Sequence, residues 1–525
     1  MTTFFEELHD RFPGLVRSVE EAVSGQVVVL LNGPDVTALA RYFKTMHQAR
    51  IVTVFTEDRA KAEGAFYNYY VFDRPGDASW VILKAPIPER YPSFPSLAAE
   101  FPAINWQERE IQDWFGLEAV GHPNPRRVAL HDNWPDVHPL RKDFLLDTVL
   151  PPFEGDRHVY RPTYGEGVFQ IPVGPVHAGI IEPGHFNFAV AGEPILYLQL
   201  RMFYTHKGTE KLFENLPVHR AVFLAESISG DSAFSHGTAF CQAVELAAEI
   251  EVPLRAQFMR TILLELERIA NHVADVGAIA TDVGFVIANA HAGRVREIVL
   301  GLNETLTGSR VLRAMVAIGG VRRDWQPDQV VAVEKTLKVV EREFSDLVAI
   351  IHSSDSTRDR LEHTGILRPE KALTLGIVGV AGRASGVDRD VRRDHPYGAY
   401  GQLPFKVPVY QAGDVRHRMQ VRIDEVGESI QLIRAAVALL PEGSYRAPNQ
   451  PLPPGRCAMS AVEGWRGEII HWVRIGEDNR IERCKVKDPS INNWPAIVEA
   501  VEGNIIADFP VINKSFNLSY SGTDR

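Results

Sequence analysis

The chain has 525 residues, 45% hydrophobic and 23% charged, a balance that excludes a disordered polymer and predicts two or three globular domains. A formal charge of −11 excludes a protein that wraps nucleic acid, and no apolar run approaches the roughly 20 residues that span a bilayer. Three scattered cysteines, Cys241, Cys457 and Cys484, fit a reducing compartment and cannot supply the four thiolates of an iron-sulfur cluster. The opening MTTFFEELHDRFPG has neither a basic leader nor a long apolar core, so the expected location is cytoplasmic.

In chain order, an amphipathic helix is predicted from about Phe4 to Phe12, then strands at QVVVLL, IVTVFT, FYNYYVF and WVILKA. The gaps between them are too short for repeated crossover helices, which predicts antiparallel pairing. A proline-punctuated stretch, ERYPSFPSLAAEFP, leads to WQEREIQDWFG, and near Leu150 the pattern breaks into LPPFEGDRHVYRPTYGEG. Domains are therefore expected at 1–150 and 166–525, with a linker at 151–165. Strand-like VFQIPVG and FNFAVAGEPILYLQL precede a helical region from about Gly208 to Phe344. Its best helix runs from Leu254 to Val276, where Leu254, Phe258, Ile262, Leu266, Ile269 and Val273 share one face. Further helices are predicted at Pro327 to His352 and at EVGESIQLIRAAVALL, and a bundle core buries such stripes economically. Strands EIIHWVRIG and RIERCKVKD and a helix near Trp494 close the chain, giving an α+β fold class.

The series ERE-x-x-D-W-F-G (Glu108 to Gly116), GHPNPRRVALHDNW and HPLRKDF, ending at Phe144, resembles the thirty-kilodalton subunit of complex I. In that family the domain is a docking element without a cofactor. Its charged residues read here as solvated or interface-packing groups, because nothing resembles a nucleophile with its base. The rest of the chain carries GPVHAGIIEPGHF (Gly174 to Phe186), FYTHKGTEKLFE, LLELERIANHVADVG, GRASGVDRDVRRDHPY (Gly382 to Tyr397), VEGWRGE (Val462 to Glu468) and DPSINNWPAI (Asp488 to Ile497). Together these look like the large subunit of energy-converting hydrogenases, which is also the forty-nine-kilodalton subunit of complex I. Fusion of the two is similar to formate-hydrogenlyase-type hydrogenases. The resemblance implies a small α+β docking domain followed by a hydrogenase large-subunit-like domain with a central long-helix bundle and peripheral β-structure.

The family holds its nickel-iron centre with four thiolates in two C-x-x-C pairs. Aligning Glu226 and His236 with the residues flanking the first pair places Ser229 and Ser232 on its cysteines, and aligning YS-x-TDR places Ser519 and Gly522 on the second. Hydroxyls are hard, weak donors and glycine offers none, so no nickel-iron cofactor is expected. Cys241, Cys457 and Cys484 lie in other segments and read as small buried residues. The chain stops at Arg525, where mature hydrogenases and complex I subunits both end, without the peptide that is clipped after nickel insertion.

In complex I the vacated cavity is the head of a quinone channel, contacted by a loop histidine and a tyrosine. The histidine corresponds to His185, with His177 as the nearby alternative; Gly230 stands at the tyrosine position and Ser229 where complex I has aspartate. His185, Asp231 and His236 are therefore the candidate chemical residues, set against the common role of a buried histidine as a satisfied core group. Glu267, Arg268, His272 and Asp275, with Arg383, Asp388, Arg389, Asp390, Arg392, Arg393, Asp394 and His395, read either as a proton relay toward a membrane arm or as a buried ionic network. The resemblance implies a peripheral oxidoreductase-complex subunit on the cytoplasmic face, binding no cofactor of its own except in a possible quinone pocket. An iron-sulfur small subunit that holds the cluster and integral membrane antiporter-like subunits are the expected partners, and a non-catalytic scaffold is the alternative role.

Overall fold

The computed structural model describes residues 2–76, 79–155, 158–178 and 181–525. After a helix at Thr2–Arg11 comes a five-stranded sheet in the order β1-β2-β5-β4-β3, made of β1 (Val16–Val23), β2 (Gln26–Leu31), β3 (Arg50–Arg59), β4 (Ala65–Asp73) and β5 (Trp80–Pro88). Both faces of its central part are covered, which is why FYNYYVF in β4 shows no inside-outside alternation. One face takes the helix Thr37–Met46, whose Phe43 ring sits 5.3 Å from that of Phe72.

Three of the four neighbouring strand pairs are antiparallel, as the short gaps predict. The exception corrects that expectation: β2 and β5 run parallel, with Gln26 opposite Trp80. The chain between them carries the Thr37–Met46 helix and the β3-β4 hairpin, ample for a crossover. Strand β1 escapes sequence reading because two register irregularities interrupt its alternation.

The ERE-x-x-D-W-F-G motif forms the helix Asn105–Phe115. Its charged residues are buried tethers: Glu108 accepts from Leu97 N at 2.8 Å, Arg109 donates to Arg126 O and Arg127 O at 2.7 and 2.9 Å, and Asp113 accepts from the backbone of Val128, Ala129 and Leu130. The helix stops at Gly116, left-handed at φ +66, where a Cβ would lie 2.3 Å from the His138 ring. From 121 to 167 the described residues form neither helix nor strand, so the irregular connection is longer than the linker predicted.

The second unit opens with a three-stranded sheet whose central strand is His185–Ala191, then builds a bundle around Leu254–Asp282. Helices Val286–Thr307 and Val415–Ala438 pack along that helix, and Pro327–His352 packs on both of them. The predicted apolar stripe ends six residues early because Ile279 and Ala280 continue it. The helix also buries Arg260, Glu265, Glu267, Arg268, His272 and Asp275, around and between the apolar positions, so charge compensation between helices is part of the core. A sheet of Cys457–Gly464, Gly467–Ile475 and Ile481–Lys487 follows, then the helices Pro489–Val501, Phe509–Phe516 and Tyr520–Asp524.

The free face of the first sheet lies on this last sheet. Phe55 and Tyr69 each place their rings 5.2 Å from Trp472, and Gln26 brackets Met459 with bonds of 2.7 and 3.0 Å to its backbone. Around that apolar centre Arg474 forks onto Glu57, Arg50 meets Glu468 at 2.6 Å, and buried Glu110 pairs with Arg525 and with Lys485. Removing one partner strands a buried charge. Glu57→Gln is expected to cost about 3 kcal/mol by leaving Arg474 uncompensated, read as a lowered urea midpoint and as faster proteolytic separation of the two units.

Candidate functional site

The positions aligned with the four family cysteines do converge. Ser229 precedes the single turn Gly230–Ser232 that starts the helix Ala233–Ala247, and Ser519 caps the last helix, accepting from Gly522 N at 2.8 Å. Their hydroxyl oxygens lie 2.9 Å apart, and Ser229 donates to Asp231 Oδ1 at 2.8 Å. The donors are thus ordered: Gly522 N–H to Ser519, Ser519 to Ser229, Ser229 to a carboxylate that only accepts. Ser232 is buried beside them, 3.4 Å from the same oxygen.

Arg466 closes this corner. Its guanidinium forks onto Asp231 at 2.7 and 2.6 Å and stacks 3.9 Å over the Trp465 ring. Asp231 is pinned further through its carbonyl, which accepts from Trp465 Nε1 and Asn271 Nδ2, both at 2.9 Å. The Asp231 side chain keeps 39% of its surface exposed, so desolvation raises its carboxyl only in part, and the Arg466 charge and the Ser229 bond outweigh it and hold the group below its ordinary range.

At Gly522 a Cβ would stand 2.6 Å from the Asp488 carboxylate, so that carboxylate fills the space of the missing side chain. Asp488 caps the helix Pro489–Val501 and lies 3.1 Å from His236 Nε2; His236 Nδ1 lies 3.1 Å from His471 Nε2, and His471 Nδ1 lies 4.0 Å from Cys484 Sγ. Burial tends to raise Asp488, and the His236 bond and charge outweigh it and keep it ionised. Burial, with His236 beside it, pushes His471 well down and keeps it neutral. Cys484 and Cys241 are buried and pushed well up, so both stay thiols.

Of the three candidate chemical residues, Asp231 and His236 border the converged positions and His185 turns away. His185 opens its strand opposite Arg201 and places Nδ1 2.9 Å from the Tyr160 hydroxyl, while its neighbour Gly184 lies against Tyr520 and Glu182 accepts from Ser521 N at 2.9 Å. His177, the alternative, lies 2.8 Å from Gly184 O. The residues not singled out from sequence are Arg466, Trp465, Asp488 and His471. Arg466, Trp465 and Asp488 sit inside VEGWRGE and DPSINNWPAI, so the signal lay in motifs whose side chains had no assigned task.

The donor set does not suit a nickel-iron cluster. Neutral hydroxyls stand at three ligand positions and a hydrogen at the fourth, so the soft anionic donors such a cluster needs are missing. Among the described residues, no three His, Cys, Asp or Glu side chains are grouped to hold a metal ion.

The relay candidates divide. Glu267 accepts from Phe234 N and Ser235 N at 2.8 and 3.1 Å, capping the helix Ala233–Ala247 from outside, and burial pushes it up to about 7. Arg268 meets Glu265 at 3.2 Å, His272 meets Glu425 at 2.7 Å, Arg383 meets Glu463 at 2.8 Å and Asp390 at 3.5 Å, and Arg392 joins Asp390 to Glu265. Arg383 Nη2 and Glu425 Oε1 lie 2.7 Å apart as an ion pair without hydrogen-bond alignment. Asp275 takes Arg422 at 2.7 Å. Asp388 stands outside this lattice, an exposed partner of Arg393, because its loop faces solvent; Asp394 shares Arg393 at the surface. Arg389 and His395 leave it for Asp73 of the first unit, each at 3.0 Å. Most links run through guanidinium groups that never release a proton, so the lattice is ionic scaffolding along most of its length.

The model of the respiratory-chain NADH dehydrogenase 49 Kd subunit matches residues 282–456 and 448–525, and that of the 30 Kd subunit matches residues 30–149. Formate hydrogenlyase subunit 5 of Escherichia coli (strain K12) is 34% identical, over 99% of this chain and 93% of its own length. Hydrogenase-4 component G of the same organism is 34% identical over 99% and 91%, and the C/D subunit of NADH-quinone oxidoreductase from Phocaeicola vulgatus is 30% identical over 88% and 93%. Among solved structures, a chain of the membrane-bound sulfane sulfur reductase, an archaeal respiratory membrane complex, aligns with a TM-score of 0.65 at 27% identity, covering 69% of this chain and 100% of that one.

Two outcomes are expected from this geometry. Gly522→Ala drives the Asp488 carboxylate off His236 and is expected to cost about 2 kcal/mol in thermal or urea unfolding. Glu267 takes up its proton near pH 7 when folded but near 4.5 when unfolded. The folded state therefore binds more protons in between, and this group subtracts stability as pH rises through that window. Glu267→Gln removes that loss, so its stability relative to wild type should improve between about pH 4.5 and pH 7 by on the order of 3 kcal/mol.

Proposed function

Because the chain belongs to the family of fused 30 Kd and 49 Kd type subunits shared by respiratory NADH dehydrogenase and formate-hydrogenlyase-type hydrogenases, we propose that it is a subunit of a membrane-associated oxidoreductase complex and works there without a nickel-iron centre. The observation that carries this reading is the closed corner itself: hydroxyls donating in sequence to Asp231, with Arg466 beside them where a cluster would need sulfur. Electrons then belong to an iron-sulfur cluster in a partner subunit. Membrane association then runs through partner subunits on the cytoplasmic side; among the described residues no helix is long and apolar enough to cross a membrane. A docking face is supported by the segment after the first unit, where Leu146, Val149, Val159, Tyr164 and Val176 are each at least two-thirds exposed, a density of apolar side chains that a monomer seldom shows to water.

Within that complex the electron acceptor is a quinone-like carbonyl compound taken up beside the His185–Tyr160 pair, on the side turned away from Asp231 and His236. The relay candidates pass protons only where carboxylate or imidazole groups approach one another without an intervening arginine. A second reading, a coupling scaffold without chemistry of its own, is favoured by one observation: Asp231 and His236 already spend their bonding capacity on Arg466, Asp488 and His471.

Metal analysis of the complex purified from membranes is expected to give nickel far below one per chain, and stoichiometric nickel overturns the cluster-free reading. In the same preparation His185→Ala is expected to lower electron transfer to a quinone analogue by about 100-fold. Unchanged turnover, with an analogue that never protects His185 from modification, leaves the scaffold reading in its place.

A further inference from the structure

A small cavity of about 20 Å³ lies where the two units meet, between the buried charge lattice and the first sheet. Its lining includes Glu463 and Asp390 from the second unit, Asp73 and Arg50 from the first, and His395 between them. That volume suits one water molecule, and the wall offers several carboxylate oxygens as partners. Glu463 spends one oxygen on Arg383 at 2.8 Å and the other on Val391 N at 3.1 Å, so each keeps an accepting site. On the far side, His395 Nε2 lies 3.0 Å from Asp73 Oδ1 and its ring stacks 3.8 Å over Trp80. His395 and Trp80 also line a cleft of about 680 Å³ between the units, and His395 and Asp73 line another of about 620 Å³.

We propose that this cavity holds one water that carries protons between Glu463, inside the second unit, and the His395–Asp73 pair at the wall of the interdomain clefts. The proposal builds on the relay role above and changes its direction: the exchange ends in the first unit's clefts, through a residue of the docking domain. The pair first gives a proton from the His395 imidazolium to solvent; a proton then leaves the Glu463 carboxyl for the water oxygen while one of the water's own protons passes to the vacated imidazole. The water is regenerated, and nothing is oxidised or reduced.

The surrounding charges leave Glu463 as the group that exchanges. Burial pushes it up to about 7, and Asp390 next to it adds to the effect, so it gains and loses a proton near neutrality. Asp73, Asp390 and Glu468 are all raised by burial alone, but the histidine and arginines bound to them more than offset this and hold them ionised. Arg50, Arg383 and Arg389 keep their protons and fix the field across the cavity.

The test is hydrogen-deuterium exchange of the Glu463 carboxyl in the full purified chain, read from its infrared carbonyl band after transfer to D2O and assigned by the loss of that band in Glu463→Gln. Wild type is expected to exchange within the mixing time. Val387→Ile, which adds a methyl group at the cavity wall, and His395→Gln, which alters the exit, are each expected to slow exchange by about tenfold or more, a rise of about 1.4 kcal/mol in the barrier. Unaltered exchange in both folded variants overturns the route. Turnover of the complex carrying Glu463→Gln is a separate readout: if it matches wild type while exchange behaves as expected, the relay role fails and the water route stands.

Discussion

The ion pair between Asp231 and Arg466 is the contact on which the corner of the second domain depends. It joins the turn before the helix Ala233–Ala247 to the strand connection at 464–467, and through the Ser229–Ser519 bond it reaches the last helix, 290 residues away from Ser229 in sequence. In a metal-holding relative a cluster bonded to four sulfurs would gather the same segments. Here the gathering is done by hydrogen bonds of fixed polarity and one planar bidentate pair, which is directional and carries no variable charge. The corner is thereby held by an ion pair and hydrogen bonds between segments far apart in sequence.

Much of this architecture was legible in sequence where a one-dimensional signal coincides with a physical boundary. The helix Pro327–His352 starts and stops as predicted, because Gln326 and Gln329 form a capping box and Pro327 occupies the first turn. The helix at Leu254 was read too short, since the apolar stripe describes only one of its buried faces. The parallel β2-β5 pair was misread because hydrophobic runs state that strands exist, not which neighbour each takes. At the site the aligned serines were found by motif order. Arg466 was not, because nothing in sequence says that it lies over a residue 235 positions earlier. Nor does the sequence give the direction of the His185 side chain, which the fold aims at Tyr160.

The first unit is more deeply joined to the second than a tether requires. Arg474 with Glu57, Arg50 with Glu468, and Glu110 with Arg525 and Lys485 are all desolvated, so separating the units exposes unpaired charge along with the Phe55, Tyr69 and Trp472 cluster. Fusion into one chain keeps these partners at high effective concentration while they find one another. The family signature of the first domain is thereby explained by packing: its acids and arginine tie down the loops 96–98 and 126–130 and face the second domain.

Gly522 limits what this corner can accept. With Asp488 seated in the space beside it, any larger residue there meets a buried carboxylate that is itself committed to His236. A side chain introduced there alone therefore destabilises the corner whatever its chemistry. The surrounding residues make the glycine a requirement of this packing rather than a gap in it.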